Sequence, residues 1–395
     1  MRVSLDDNTF RCHIDLAGLI ERVKGLSREE LVWLVEQHQE MLIQELCGPK
    51  YSRSHEYRRG SSYFKTLTTG VGKVRFRVKR VIRRIDNAVK SPILEALDVK
   101  RKRYARDVRM KCVDFASKMS YQDASEEFEE ATGVHVPKRT IHGFVQQIAP
   151  RLLEANRTAT EAKVVLGDST EVRALNRRAM NNVHVLVSGS GQMLALEVNH
   201  DWPTVEADVL ISDNEPGLSD AVKAERRQLC ILHAIKYVLF ALWGERMSRD
   251  DRAEVDNALK QTLFTLVNST KKHLEDGDKK TLRAKIDMTL RELYEMASRL
   301  RDIGYPKASA FLEKHAKFTV TFAELALEEG ITIPYTANAI ERLMGEVSKR
   351  CKHKWMHWST EGLKNILTTV LVRYTNKTLY RNFKNAYIHN EPIIQ

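Results

Sequence analysis

The stretch from Lys163 to His233 constrains the fold more than any other part of the chain. It holds four apolar runs: Lys163–Thr170 (KVVLGDST), Asn182–Ser190, Gln192–His200 and Asp208–Asp213. Runs of this length, rich in Val, Ile and Leu, read as strands buried in a sheet. Asp168 ends the apolar part of the first, and Asp213 ends the fourth. An acid closing such a strand lies at the sheet edge, where sites form in open α/β folds. Two strands delivering aspartates to one edge point to a pair sharing divalent metal. Two strand-ending turn aspartates read the same way, and from these residues alone both readings stand. After Asp213, Asn-Glu-Pro-Gly-Leu reads as a turn into a helix through about Arg226. Gln228–Ile231 then reads as a fifth short strand, followed by an apolar helix over Leu232–Trp243.

Downstream the pattern changes. Residues 245–330 contain no strand-like run, only charged amphipathic helices over Arg249–Val267, Lys279–Leu300, Pro306–Lys314 and Thr319–Glu328. Pro334 precedes Thr336–Arg342, which opens a helix to about Lys349 and carries Glu341 in its first turn. A last helix spans Thr360–Tyr374, with a polar basic tail after it. Asp168, Asp213 and Glu341, brought together, can hold two Mg²⁺ ions about 3.5–4 Å apart. Such a pair lowers the pKa of an attacking water or 3′-hydroxyl and stabilises the leaving oxygen. Hard oxygen ligands suit Mg²⁺, or Mn²⁺ as substitute, better than zinc. A helix-start glutamate favoured by the helix dipole is the competing reading of Glu341.

Upstream, Ser27–Glu30 forms a capping box before a helix over Arg28–Leu46, whose apolar face carries Leu31, Leu34, Val35, Met41, Leu42 and Leu46. From Tyr51 to Arg84 short alternating runs with turn glycines predict a β-rich module. In Lys73–Arg80 the cations Lys73, Arg75, Arg77 and Lys79 alternate with Val74, Phe76 and Val78, so period two gives one apolar and one cationic face. A half-buried strand with a solvated face fits this pattern. The density of cations favours a phosphate-facing ribbon. Lys100–Arg103 opens a helix to about Met119. Then follow a helix from Ser120 to Thr132, Gly133, and a second helix from Val136 through Ile148, the form of a helix-turn-helix. Lys138, Arg139, Thr140 and His142 would stand where such a fold meets nucleic acid. A net charge of +12 and a pI near 9.3 agree with a polyanionic partner. Five dispersed cysteines do not form a disulfide framework. The chain has no run of membrane-span length and no signal-peptide core, which predicts a cytoplasmic, nucleoid-associated protein, or a nuclear one in a eukaryotic host.

Four ordered motifs, GDST at 167–170, ISDNEPGL at 211–218, QLCILHAIKYV at 228–238 and TANAIERLMGEVSKR at 336–350, resemble those of the Mutator-type DDE transposases of insertion sequences. The basic β-rich text around Arg58, Arg59, Gly60 and Leu67–Val74 is similar to that family's N-terminal module, and the resemblance spans roughly residues 50 to 375. Asn214 departs from the family's usual glycine. The resemblance implies a multidomain α+β protein. Its centre would be a ribonuclease H-like mixed sheet with flanking helices, interrupted by an all-α insertion. The segments would be an N-terminal helical region (1–47), a basic β-rich module (48–97), a helix-turn-helix region (98–158), the first part of the catalytic core (159–244), the insertion (245–333), and the glutamate helix with the C-terminal helices (334–395).

It further implies a transposase with Asp168, Asp213 and Glu341 as catalytic metal ligands for two Mg²⁺ ions. DNA contacts would come from Arg58, Arg59, Lys73, Arg75, Arg77, Lys79, Lys138, Arg139, Thr140 and Arg342. The enzyme would bind terminal inverted repeats as a homodimer or higher oligomer, cut 3′ ends with metal-activated water and join them to target DNA by transesterification, away from any membrane. A ribonuclease H-type nuclease or resolvase, or a silent transposase-derived regulator, would share much of this sequence pattern. Cys230 and His233 belong to one of the motifs, but their role stays open. They either pack beside the centre, or join Cys351, His353 and His357 around zinc, which needs four ligands in a structural site. Trp243, Trp355 and Trp358 are candidates for stacking on a displaced base, against core packing.

Overall fold

The computed structural model describes residues 18–19, 28–50, 53–156, 161–176, 178–352 and 356–391. The Ser27 cap, His353 and Trp355 lie outside them. The chain is α+β and divides into two compact units, residues 1–155 with 377–395, and residues 156–376. Among the described residues no helix is long and apolar enough to cross a membrane.

The first unit is built on a long hairpin. β1 (Tyr57–Thr69) pairs antiparallel with β2 (Gly72–Arg83), and a short β3 (Val89–Lys90) adds to β2. The period-two pattern is realised: Val74, Phe76 and Val78 are buried, while Lys73, Arg75 and Arg77 are exposed. The buried row meets Leu31, Val35 and Leu42 of the helix Arg28–Cys47. Met41, expected on that helix's apolar face, is exposed instead. The helix also satisfies β2 backbone beyond the reach of β1 and β3. Buried Gln39 donates to the Arg77 carbonyl at 2.8 Å and accepts from the Lys79 N–H at 2.7 Å. One amide side chain thus replaces a missing ladder partner, which protects the edge from pairing elsewhere.

The helix expected from Lys100 begins instead at Arg106 and ends at Ala116. Residues before it are held to β1: the Arg103 carbonyl accepts from the Thr68 N–H and the Ala105 N–H donates to the Thr68 carbonyl, both at 2.9 Å. The next helix, Tyr121–Thr132, starts on a Ser120 cap and stops at Gly133, whose φ of 66° is the left-handed form that ends helices. The helix after the turn runs from Lys138 to Asn156, well past Ile148 and through Pro150. It continues because Ile148, Leu152 and Ala155 prolong its buried face, while Pro150 sits on the exposed side. The segment expected as a polar tail is a helix, Lys377–His389, with Tyr380, Phe383, Ala386 and Tyr387 buried. It packs against Arg106–Ala116, where the Tyr380 hydroxyl and the Lys384 ammonium each donate to Asp114 at 3.3 Å.

The second unit centres on a mixed five-stranded sheet, in the order Met193–Val198 (β6), Met180–Ser188 (β5), Glu161–Arg173 (β4), Val205–Ser212 (β7) and Val222–Leu229 (β8). β4, β5 and β6 form an antiparallel meander. β7 lies parallel to β4, and β8 parallel to β7. The helix expected to reach Arg226 is only a turn, Leu218–Ala221, and the fifth strand is correspondingly longer. Its charged residues look helical in sequence but alternate along an outer strand, where Arg226 pairs with Glu328 at 2.9 Å. Four helices lie between Gly244 and the glutamate helix: Arg249–Asp276, Lys279–Asp302, Pro306–Thr319 and Thr321–Glu329. The glutamate helix, Asn338–Cys351, packs on β4 and on the following helix, Thr360–Thr375.

Candidate functional site

Register brings the two aspartates together. Leu166 of β4 pairs with Ile211 of β7 in parallel, so Asp168 and Asp213, two residues further along each chain, emerge side by side. Asp213 follows the last residue of β7, as expected. Asp168 does not end its strand: β4 continues to Arg173 because β5 pairs with it that far, after β7 has stopped. The acid therefore leaves the sheet where the parallel neighbour ends.

The loop after β7 completes the cluster. Asn214 has φ 74°, left-handed backbone that asparagine tolerates better than most side chains. That turn directs Glu215 back towards the strand ends. Gly167 allows the loop to settle: a Cβ there would lie 2.7 Å from Leu218 and 2.9 Å from Leu186. One ligand-capable oxygen each from Asp168, Asp213 and Glu215 lies within 4.8 Å of the others. Glu215 was not among the expected ligands. Its signal was present two residues after Asp213, but only the turn geometry reveals that it points back.

The electrostatics of this cluster call for a cation. Burial and the neighbouring charges of Asp213 and Glu215 push the Asp168 pKa up to about 7, against a hydrogen bond from the Ser169 N–H at 2.8 Å and the influence of His233. Asp213 Oδ1 is buried with no hydrogen-bond partner among the described residues. A buried anionic oxygen without a donor is costly unless something positive meets it. The Ser169 hydroxyl bonds Glu215 and fixes its orientation. Three carboxylates of hard character, one of them carrying an unsatisfied oxygen, fit a divalent ion such as Mg²⁺ or Mn²⁺.

Glu341 stands apart from these oxygens. It lies in the first turn of its helix, half exposed, with Oε1 3.6 Å from His233 Nδ1. It groups with Cys230 and His233 rather than with the aspartates. The Cys230 N–H donates to the Ser212 carbonyl at 2.9 Å, the Ile231 N–H to the Tyr335 carbonyl at 3.1 Å, and the Ala337 N–H to Cys230 Sγ at 3.3 Å. These bonds dock the segment before the glutamate helix onto the end of β8. His233 links the two groups: contact with Cys230 raises its pKa most, burial opposes, and the charges of Asp213 and Glu341 add to the rise. Among the described residues Cys351 and His357 join neither group, and His353 lies outside those residues. Cys351 is buried, and burial pushes its thiol up to about 12.

The remaining candidates divide clearly. Lys73, Arg75 and Arg77 line the exposed face of the hairpin, where Phe64 sits opposite Arg77 and under both guanidiniums, 4.6 Å and 5.4 Å from its ring centre. Lys79 and Arg59 are drawn to Glu40, and Arg58 donates to Asn87 at 3.3 Å. Lys138 and Arg139 are exposed at the start of their helix, Thr140 is half-buried, and Arg342 is exposed. Trp358 is buried and donates to the Cys351 carbonyl at 3.2 Å, so it cannot stack on a base. Trp243 is 64% exposed and lines a cavity of about 540 Å³ with Phe240, Lys236, Arg252 and Lys260. No protein-family model matches the chain, and no curated protein matches it.

Proposed function

We propose that this protein is a metal-dependent DNA transposase with a ribonuclease H-like core. The observation that carries the reading is the meeting of Asp168 and Asp213 where β7 stops beside β4, with Asp213 Oδ1 buried and unpaired among the described residues. The sheet order, with its antiparallel β4-β5-β6 arm and parallel β7 and β8, is compatible with that core but not specific to it. The four-motif resemblance supports the finer assignment.

In this reading Asp168 and Asp213 hold Mg²⁺, with Glu215 or Glu341 as the further carboxylate. The bound ions supply Lewis acidity to the attacking and leaving oxygens. The chain's own contribution is to fix the acids on sheet and helix, to keep Asp213 Oδ1 from other donors, and to place His233 between the carboxylate groups. Lys73, Arg75 and Arg77 contact phosphates, Lys138 and Arg139 meet the groove of a terminal repeat, and Arg342 lies beside the glutamate. The partners are terminal inverted repeats and target DNA, handled by an oligomer of this chain in the compartment that holds the DNA.

A nuclease or resolvase is the second reading, favoured by one observation: the three-oxygen cluster forms with Glu215 and without Glu341. Incubation with Mg²⁺ and DNA carrying the element's ends separates the two. Cleavage followed by joined products supports the transposase. Cleavage without joining supports the nuclease, and neither product with intact binding rejects both.

A further inference from the structure

The Cys230, His233 and Glu341 cluster has a donor set unlike that of the aspartate site. Its ligand atoms are one sulfur, one imidazole nitrogen and one carboxylate oxygen, all within 4.8 Å of one another. Zinc-type bond lengths and tetrahedral angles place ligand atoms about 3.3–3.6 Å apart. The 3.6 Å from His233 Nδ1 to Glu341 Oε1 already falls there. His233 Nδ1 is buried and has no hydrogen-bond partner among the described residues. The Cys230 side chain is fully buried; its N–H donates to the Ser212 carbonyl, and its sulfur accepts from the Ala337 N–H at 3.3 Å, which fixes where the sulfur stands. Glu341 reaches in from a different element and stays partly open to solvent, which leaves a way in and room for a fourth ligand.

We propose that Cys230, His233 and Glu341 form a three-ligand site for a borderline-soft divalent ion, with Zn²⁺ as the natural occupant. Thiolate with imidazole selects such an ion over Mg²⁺. Three protein ligands leave the fourth position for water, the pattern of an open rather than a closed structural site. An ion held there ties Glu341 to the His233 side and away from Asp168 and Asp213. The site does not rest on the reaction proposed above, since it concerns binding alone.

Co²⁺ reports the ligands directly, because a cobalt–thiolate bond gives a charge-transfer band in the near ultraviolet. The reduced full-length chain is titrated with Co²⁺ in excess Mg²⁺, which occupies hard oxygen sites. The expected result is one Co²⁺ per chain with a thiolate band, displaced by Zn²⁺. Burial pushes the Cys112 and Cys351 thiols up to about 12 and raises Cys47 as well, so these are poor competitors. Cys230→Ser should remove the band. Glu341→Gln changes a half-exposed residue and should keep the band while weakening Co²⁺ binding by at least roughly tenfold, since loss of even an outer partner costs that much. Asp168→Asn should leave the titration unchanged, so failure of the catalytic reading does not mimic failure here. Absence of a thiolate band in the wild type, a band that survives Cys230→Ser, or wild-type affinity in Glu341→Gln overturns the proposal.

Discussion

At the scale of single residues, the two carboxylate groups make separable predictions. If Asp168 and Asp213 hold the catalytic ion, Asp168→Asn and Asp213→Asn should each lower DNA cleavage by on the order of a hundredfold or more while DNA binding persists, because lost transition-state stabilisation appears in rate rather than affinity. Glu215→Gln and Glu341→Gln then assign the third position: the larger loss marks the ligand used in turnover. Equal, small effects for all four would reject the site. A second expectation concerns pH. Asp168 has a folded pKa of about 7, above its ordinary carboxylate value. A raised folded pKa contributes stability that is full below about pH 4 and is lost as pH rises through 7. Without metal, the wild type should therefore lose stability relative to Asp168→Asn between about pH 4 and 7. Mg²⁺ needs the ionised acid, so its addition should raise the wild-type Tm more at pH 8 than at pH 5.5. A Tm gain independent of pH would remove Asp168 from the metal site.

At the scale of elements, legibility followed periodicity. The hairpin strand β2 was readable because Val74, Phe76 and Val78 alternate with cations, and one face was bound to be buried. Only the end of β8, at Gln228 and Leu229, was readable, because Lys223, Glu225, Arg226 and Arg227 offer no apolar alternation strong enough to outvote a helix; pairing with β7 decides the rest. The Lys377–His389 helix hid for a similar reason, since its buried aromatics are diluted by lysine, arginine and asparagine. Asp213 follows its strand as the sequence suggests, Asp168 sits mid-strand where the parallel neighbour stops and owes its assignment to the motif resemblance, and Glu215 needed the left-handed turn at Asn214, a backbone feature that composition does not encode. The hairpin also carries its own prediction. Arg75 and Arg77 are exposed and flank Phe64, while Lys79 is engaged by Glu40. Replacing Arg75 and Arg77 by Gln should weaken binding to all DNA sequences and flatten its salt dependence, by about one counterion per lost phosphate contact. Lys79→Gln should do much less. Arg139→Gln should instead relax sequence preference if its side chain reads a base edge. Fluorescence anisotropy at several salt concentrations checks all three, and identical slopes for the Arg75/Arg77 variant and wild type would take the ribbon off the phosphates.

At the scale of the whole molecule, the C-terminal segment does not belong with the residues that precede it in sequence. Residues 377–395 join the N-terminal compact unit, although the catalytic candidates lie between. A fragment of residues 50–150 therefore lacks two of the elements that bury the unit's apolar surface: the Arg28–Cys47 helix over β2, and the Lys377–His389 helix over Arg106–Ala116. Tyr380, Phe383 and Tyr387 are each under about a tenth exposed. Burying side chains of this size contributes roughly 1.5–3 kcal/mol apiece, and removing three leaves their partners facing water. That sum is comparable to the stability of a whole small domain. Truncation after Asn376 should accordingly lower the melting temperature of the N-terminal unit by many degrees and weaken DNA binding. Loss of the Tyr380 and Lys384 contacts would also strip two donors from half-buried Asp114, although Lys118 stays 3.9 Å away. The second unit keeps its sheet, the four helices that follow Gly244 and Thr360–Thr375, so its own transition should stay in place. Calorimetry of the full chain and of the truncated chain distinguishes the outcomes. One transition lowered and one unmoved is the expected pattern; two unmoved transitions with full DNA binding would show that the last helix contributes nothing to the unit it packs on.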